Sequence, residues 1–200
     1  MPNVLYLLGR TFKRGCGIDW SPQSIIEPRW RKSSLTDPTS AYACSCFFYS
    51  LAGAFAIIMT TQCPLAFPSE WPAGWAQVEA ALIILQGFWS FGSDVHALGR
   101  TSYLHPIDRT SATWLTGLQF FKYGILLRPV LSTGELVWLS ATLLIAIAIK
   151  LADYQAIAVL KDRQLYERTH FWWHVSLPFG VGGHLAYRWL TCPMCIGPSE

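Results

Sequence analysis

The hydrophobic positions of this chain fall into five long blocks separated by shorter polar stretches. The blocks cover about 41–65, 74–92, 110–131, 135–158 and 170–190. Each is long enough to cross a hydrocarbon layer about 30 Å thick, where a helix satisfies its own backbone hydrogen bonds. The third block is the weakest because it contains Lys122 and Arg128. The pattern therefore predicts an all-α, polytopic membrane helix bundle with about five transmembrane helices.

The regions outside these blocks are polar. Residues 1–40 are rich in Pro, Ser and basic residues, so we interpret them as a polar N-terminal tail and a candidate surface for protein partners. Residues 41–191 form the predicted transmembrane helical domain, and residues 192–200 form a short C-terminal tail. The apolar run near the N-terminus is too short for a signal peptide, so we expect the first helix of the bundle to direct insertion.

The composition agrees with a membrane protein. The chain has 200 residues, of which 52% are hydrophobic and 14% charged, whereas soluble domains carry about 25% charged residues. We therefore predict an integral, multi-pass membrane protein whose partner is membrane lipid. The net charge of +3 comes from scattered residues. Because no basic run is interleaved with aromatic residues, the sequence argues against nucleic-acid binding.

The basic residues predict the orientation of the helices. The tail and the polar stretches after the second and fourth blocks hold most of the Lys and Arg, and the stretch after the first block holds none. Positively charged loops favour the cytoplasmic side, so the N-terminus is predicted to be cytoplasmic. The end of the second helix and the starts of the third and fifth helices then lie on that same side.

Candidate metal ligands and catalytic groups concentrate on this side. They are Ser93, Asp94, His96, His105, Asp108, His170 and His174. His170 and His174, spaced i and i+4, project from one helix face, and zinc commonly takes such a pair with one or two further ligands. His96 or Asp94 would supply the third ligand, and His105 is another rival. Asp108 would orient or deprotonate a water molecule on the metal.

Other interpretations of the histidines are compatible with the sequence. They could lie at headgroup level beside Trp172 and Trp173, as in an aromatic belt. Haem ligation would use His170 and His184, which have thirteen residues between them, but it requires a matching pair on a second helix. Single histidines could also ligate chlorophyll.

Two further pairs have simple interpretations. Lys150 and Asp153, spaced i and i+3, are predicted to neutralise each other. Cys192-Pro-Met-Cys195 has the CxxC form, but no second CxxC completes a four-thiolate zinc site. We therefore interpret this second pair as free or oxidised thiols.

The arrangement resembles the CREST superfamily of membrane metal hydrolases, which includes alkaline ceramidases, progestin and adiponectin receptors, and Per-type proteins of GPI-anchor remodelling. The family pattern is a Ser shortly before a His, then an Asp, and a final HxxxH. Its matches here are Ser93 and His96 in SDVH, Asp108 in HPID, and His170 with His174. The resemblance covers about 90–110 and 165–180. It implies zinc on the three histidines, with Ser93 and Asp108 beside it.

The function that this resemblance implies is a membrane-embedded, zinc-dependent hydrolase of a lipid amide or ester bond, similar to a ceramidase. Asp108 would act as the base, and Ser93 would hydrogen-bond the water or the oxyanion. The alternative is a non-catalytic multipass membrane protein, either a receptor-like relative or an accessory subunit of a membrane complex. In that alternative the polar groups would tie helices together.

Overall fold

The structure is a computed structural model that describes residues 9, 13, 16–17, 20–23 and 36–192. Five helices make up most of this described part of the chain. No strand is present among these residues. In chain order the helices are α1 (Ala41–Gln62), α2 (Ala73–Phe91), α3 (Leu104–Phe121), α4 (Thr133–Gln155) and α5 (Arg163–Thr191). Each helix overlaps one of the five predicted blocks, so the all-α prediction is confirmed.

Local signals explain where the helices begin. Ser132 precedes α4 and forms a capping box, in which its side chain accepts from the Glu135 N–H and the Glu135 side chain accepts from the Ser132 N–H. Asp162 precedes α5, and its side chain accepts from the Leu165 N–H. These polar residues satisfy backbone donors that the first helical turn leaves without partners.

Four of the helices depart from regular α geometry. α1 is interrupted at Cys46, between Ala41–Ser45 and Phe47–Gln62. The other three continue at their C-terminal ends as π-helical turns, which are Gly92–His96, Lys122–Leu126 and Ala156–Leu160. The third predicted block therefore ends as an α-helix earlier than expected. Turns of this kind often occur at functional sites.

α1 and α2 form the most extensive helix pair. A Cβ atom on Gly53 would lie 2.5 Å from the Ala80 carbonyl oxygen, and one on Gly87 would collide with Ser50 Oγ. Ser50 Oγ donates to the Ile84 carbonyl at 2.9 Å across this interface. Glycine therefore lets the two backbones approach closely, as small residues do between membrane helices. α5 packs against both α4 and α1 and completes the bundle.

Two of the five described helices are long and apolar enough to cross a membrane, namely α1 and α4, with mean hydropathies of 1.7 and 1.9. Only 11% of the apolar window of α4 is buried, and Val137, Leu144 and Ile145 are largely exposed. This apolar surface suits contact with lipid. A multi-pass arrangement of all five helices stays a prediction, as does the cytoplasmic N-terminus.

Part of the predicted N-terminal tail contacts the bundle. The Ser21 carbonyl accepts from Arg109 Nη2 at 2.7 Å, and the Pro22 carbonyl accepts from the Ser102 N–H at 2.8 Å. Most of residues 1–35 lies outside the described residues, as do residues 193–200 with Cys195 of the CxxC pair. Binding of a protein partner through the tail stays a prediction.

Candidate metal centre

The π-helical turn that follows α2 determines which residues of that turn point into the bundle and which point outward. This turn, Gly92–His96, places Asp94 beside α5. His96 is exposed, because residues two apart on a helix face different sides. Ser90, one turn before Asp94, faces the same way, and its Oγ donates to Asp94 Oδ2 at 3.3 Å.

His170 and His174 lie one turn apart on the buried face of α5, with ring centroids 4.5 Å apart. Their Nε2 atoms approach the same carboxylate oxygen. Asp94 Oδ2 is 2.9 Å from His170 Nε2 and 3.6 Å from His174 Nε2. One oxygen of Asp94 therefore lies close to both histidines.

The opposite nitrogen of each ring is held by another helix. His170 Nδ1 lies 3.0 Å from Asp153 Oδ2 on α4, and His174 Nδ1 lies 2.9 Å from Ser45 Oγ on α1. Metal-ligating histidines are commonly held in this way, with one nitrogen toward the ion and the other bonded to a carboxylate or another polar group. The ring orientations therefore suit metal binding through Nε2.

α1 contributes a thiol at the point where its helix is interrupted. Cys46 Sγ, a carboxylate oxygen of Asp94 and a ring nitrogen of His174 all lie within 4.8 Å of one another. These three groups could therefore hold a metal ion. Thiolate, imidazole and carboxylate are all known zinc ligands. His170 is a further candidate, since its Nε2 contacts the same Asp94 carboxylate.

Acidic charge exceeds basic charge around this point. Asp94 and Asp153 both contact His170, and Asp108 interacts electrostatically with Asp94 and His170. Lys150 Nζ lies 3.0 Å from Asp153 Oδ2, which confirms the predicted pair. Three carboxylates thus lie near one ammonium group and near His170, which carries two ring protons when no ion is bound because both of its nitrogens contact carboxylates. Because buried charge must be compensated, a divalent cation in place of the second His170 proton would balance these carboxylates.

Asp108 is held in position by α2. Gln86 Nε2 donates to Asp108 Oδ1 at 2.7 Å, and Ser111 Oγ donates to Gln86 Oε1. Gln86 is buried, so these hydrogen bonds lie inside the bundle. The Asp108 carboxylate therefore faces the cluster in a defined orientation.

Aromatic rings surround the two histidines. The rings of Tyr42 and Tyr166 lie 5.5 and 4.9 Å from the His170 ring, centroid to centroid, and the Tyr49 ring lies 5.7 Å from that of His174. Tyr42 and Tyr166 also share a hydrogen bond of 3.0 Å between their hydroxyls. Because these rings limit contact with water, electrostatic interactions inside the cluster are strengthened.

Three sequence-predicted residues lie away from this point. Ser93 Oγ is 2.9 Å from His105 Nδ1, and His105 Nε2 donates to the Arg100 carbonyl at 2.9 Å. These bonds tie the π-helical turn to the start of α3. His96 belongs to no group of potential ligands in the described part of the chain. The structure therefore places Asp94, the rival ligand, beside the two histidines, in the position that the family resemblance assigns to His96.

Several residues of the cluster have no role in the site that the sequence predicts. They are Ser45, Cys46, Ser90 and, as a partner of His170, Asp153. Ser90 precedes Asp94 by one helical turn, which is a signal that the sequence does contain. Cys46 and Ser45 gave no such signal, because nothing in the sequence shows that α1 packs against α5.

The other interpretations of the histidines find no support in their contacts. Both are buried, whereas residues of an aromatic belt lie at the surface. His184 is near the other end of α5, where its Nε2 lies 3.0 Å from Glu135 Oε1. No second pair of histidines faces His170 and His184 among residues 36–192.

No protein-family model, curated protein or solved structure matches this chain. Its function must therefore be inferred from the geometry of the site.

Proposed function

We propose that the protein is a membrane-embedded, zinc-dependent hydrolase that cleaves an amide or ester bond of a lipid, as a ceramidase does. The observation that carries this proposal is the approach of His170 Nε2 and His174 Nε2 to a single oxygen of Asp94. Asp153 and Ser45 hold the opposite ring nitrogens. Such outer contacts fix the tautomer and the direction of each ligand.

Asp94, His170 and His174 are the proposed zinc ligands. Catalytic zinc sites generally have three protein ligands and one open position, whereas structural sites are closed by four. Cys46 Sγ is close enough to Asp94 and His174 to be a fourth donor. We assign it to the wall of the site, so that the open position is available to water and substrate.

The proposed hydrolysis needs a bound zinc ion, a base and a hydrogen-bond donor for the oxyanion. A bound zinc ion would activate water and polarise the scissile carbonyl. Asp108 would accept a proton from the attacking water, while Gln86 holds its Oδ1. Ser90 Oγ, 3.1 Å from His174 Nε2, takes the role expected for Ser93 and would donate to the developing oxyanion.

The bond changes of this hydrolysis balance. The oxygen of water adds to the carbonyl carbon, and the C–N or C–O bond then breaks. The leaving amine or alcohol takes the proton that Asp108 accepted. The products are a carboxylic acid and an amine or an alcohol, and Asp108 returns to its starting charge.

The exterior of the bundle supports a lipid as substrate. α1 and α4 are apolar enough to cross a membrane, and large apolar side chains of α4 such as Leu144 and Ile145 are exposed. An acyl chain would be stabilised next to such a surface by burial of apolar area. The resemblance to ceramidases adds the expectation of an amide or ester as the scissile bond.

A non-catalytic membrane protein is the second candidate. Both ring nitrogens of His170 and of His174 already contact protein side chains, and these contacts join α1, α2, α4 and α5. Hydrogen bonds between membrane helices contribute roughly 0.6 to 2 kcal/mol each. A cluster with this structural role would need no metal.

Metal analysis of the purified protein separates the two candidates. After loading with zinc and removal of excess metal, wild type should retain about one ion per chain, as one His/Asp site requires. The double variant His170→Ala/His174→Ala should retain none. His96→Ala is the matched control and should retain zinc, because His96 is exposed. Intact, folded wild-type protein that retains no zinc would contradict the proposal.

Turnover tests the catalytic part. Zinc-loaded wild type in mixed micelles should hydrolyse a short-chain ceramide or a lipid ester, and a chelator should stop the reaction. Asp108→Asn should retain zinc while kcat falls about 10²- to 10⁴-fold, the usual contribution of a general base. Zinc binding without turnover of either substrate would favour the second candidate.

A further inference from the structure

The bundle contains an apolar cavity that borders the candidate metal centre, since Tyr49 and Gln86 line it, but that none of the proposed metal ligands lines. Its volume is about 310 Å³, near the lower end of the roughly 300–1,000 Å³ that is usual for small-molecule pockets. Most of its wall is aliphatic, including Leu115, Leu139, Leu143, Leu177 and Leu185. Asp94, His170 and His174 do not line it. Its volume and lining suit an alkyl chain.

Two ion pairs form a polar region in the wall of this cavity. Lys122 Nζ lies 2.6 and 2.8 Å from the two oxygens of Glu79. Arg188 Nε donates to Glu135 Oε1 at 2.7 Å, and His184 Nε2 lies 3.0 Å from that oxygen. Each carboxylate is therefore paired with one permanent cation. The region has no excess charge for an ionic ligand to neutralise.

Two buried acceptor atoms in this region have no hydrogen-bond partner among the described residues, and they are His184 Nδ1 and Gln119 Oε1. Both residues line the cavity, and His184 is only 4% exposed. A buried polar atom without a partner is unfavourable. Neighbouring side chains cover both atoms, so a ligand in the cavity that supplied a donor after a small shift of those side chains would gain a hydrogen bond that the protein itself lacks.

The contacts of these residues determine that both atoms accept. His184 Nε2 faces the Glu135 carboxylate, so it carries the ring proton, and Nδ1 presents a lone pair. The imidazole is neutral because Arg188 already compensates Glu135, and a further buried cation would lack a partner of its own. Gln119 Nε2 donates to Glu79 Oε1, which orients the amide with Oε1 as the remaining acceptor.

We propose that this cavity binds a lipid alcohol, with the alkyl chain against the leucines and the hydroxyl donating to His184 Nδ1. An ionised carboxylate would place its lone pairs against those of His184 and Gln119. An ammonium group would add a cation to a region whose carboxylates are already paired. A hydroxyl satisfies the acceptor without either cost. This binding goes beyond the proposed hydrolysis and does not depend on a metal.

Titration with three matched ligands tests the proposal. Dodecanol, dodecanoate and dodecane are titrated into the full-length protein in lipid nanodiscs, with empty nanodiscs subtracted, at a pH where the fatty acid is ionised. We expect dodecanol to bind about tenfold more tightly than either competitor, a difference that one hydrogen bond can supply. Equal or tighter binding of dodecanoate or dodecane would overturn the proposal.

Variants locate the binding. His184→Leu should lower dodecanol affinity to that of dodecane, and Gln119→Leu is a second variant if the first fails to fold. Leu143→Trp fills the cavity and should abolish binding of all three ligands. Leu144→Trp is its matched control, because the neighbouring Leu144 is exposed and does not line the cavity.

The metal-centre variant separates this proposal from the hydrolase proposal. His170→Ala/His174→Ala should bind dodecanol as wild type does. Loss of dodecanol binding in that variant, or retention of it in Leu143→Trp, would place the alcohol elsewhere and overturn the inference. Failure of wild type to bind zinc would leave the expected dodecanol result unchanged.

Discussion

Two buried polar networks of this protein differ in charge balance. The Asp94 cluster consists of Asp94, Asp108, Asp153, Lys150, His170 and His174, and the Glu135 network consists of Glu79, Lys122, Glu135, His184 and Arg188. The first has three carboxylates, one ammonium group and a histidine that contacts two of the carboxylates, whereas the second pairs each carboxylate with its own permanent cation. The first therefore suits a bound cation, and the second suits a neutral ligand.

Both networks use histidines from α5, and the comparison shows that neighbours decide what a histidine can do. His174 has partners at both ring nitrogens and shares the Asp94 carboxylate with His170. His184 has a partner at Nε2, while its buried Nδ1 has none among the described residues. The same side chain is thus a candidate metal ligand at one point of the helix and a buried acceptor without a partner among the described residues three turns later.

The largest expected effect comes from removing the carboxylate that both Nε2 atoms approach. Asp94→Asn should abolish stoichiometric zinc binding, because it removes one ligand and the negative charge at the point of convergence. Glu135→Gln, a matched change in the other network, should leave zinc content unchanged. Zinc is measured by elemental analysis of folded protein. Equal loss of zinc in both variants would contradict the proposal that zinc binds in the Asp94 cluster and not in the Glu135 network.

The two lysines that pair with buried carboxylates provide the next test. Lys122→Met leaves Glu79 buried without a cation, and should lower the free energy of unfolding by about 3–5 kcal/mol. Lys150→Met should have a smaller effect, because the Lys150 side chain is 31% exposed, against 5% for Lys122. Unfolding in mixed micelles, followed by near-ultraviolet circular dichroism, measures both. A larger loss in Lys150→Met would show that the charge balance has been assigned wrongly.

The smallest expected effect concerns the group that orients His170. Asp153→Asn keeps the shape of the side chain but weakens its bond to His170 Nδ1, so zinc affinity should fall about 10- to 100-fold. Competition with a chromogenic chelator measures this affinity. Glu167→Gln is the control on α5, the helix of His170, because Glu167 pairs with Arg163 near the surface of that helix. Unchanged affinity in Asp153→Asn would argue that His170 is not a ligand.

Much of the fold followed from the sequence, because long apolar blocks leave few alternatives to helices. All five blocks overlap helices of the structure. The third block was less well predicted. In the sequence, Lys122 interrupts the apolar run, whereas in the structure it is buried and paired with Glu79 of another helix. An ion pair between helices has no signature in local hydropathy, so only packing shows that this charge is compensated.

The candidate site was predicted in part. The i, i+4 spacing of His170 and His174 determines that they share a helix face, and the structure places both on the buried side of α5. Asp108 was expected beside them and interacts electrostatically with His170. The choice between Asp94 and His96 could not be made from the sequence, because the π-helical turn at Gly92–His96 changes which side chain faces inward.

The sequence by itself therefore determined the helices, the histidine pair and the concentration of polar groups near it. These properties depend on residue spacing and hydropathy, which are local. Only the tertiary structure decided that Asp94 meets the histidines, that Cys46 and Ser45 join them from α1, and that Asp153 holds His170. It also decided that His184 faces an apolar cavity. Such contacts join residues far apart in the chain, and depend on how the helices pack and where their regular geometry is interrupted.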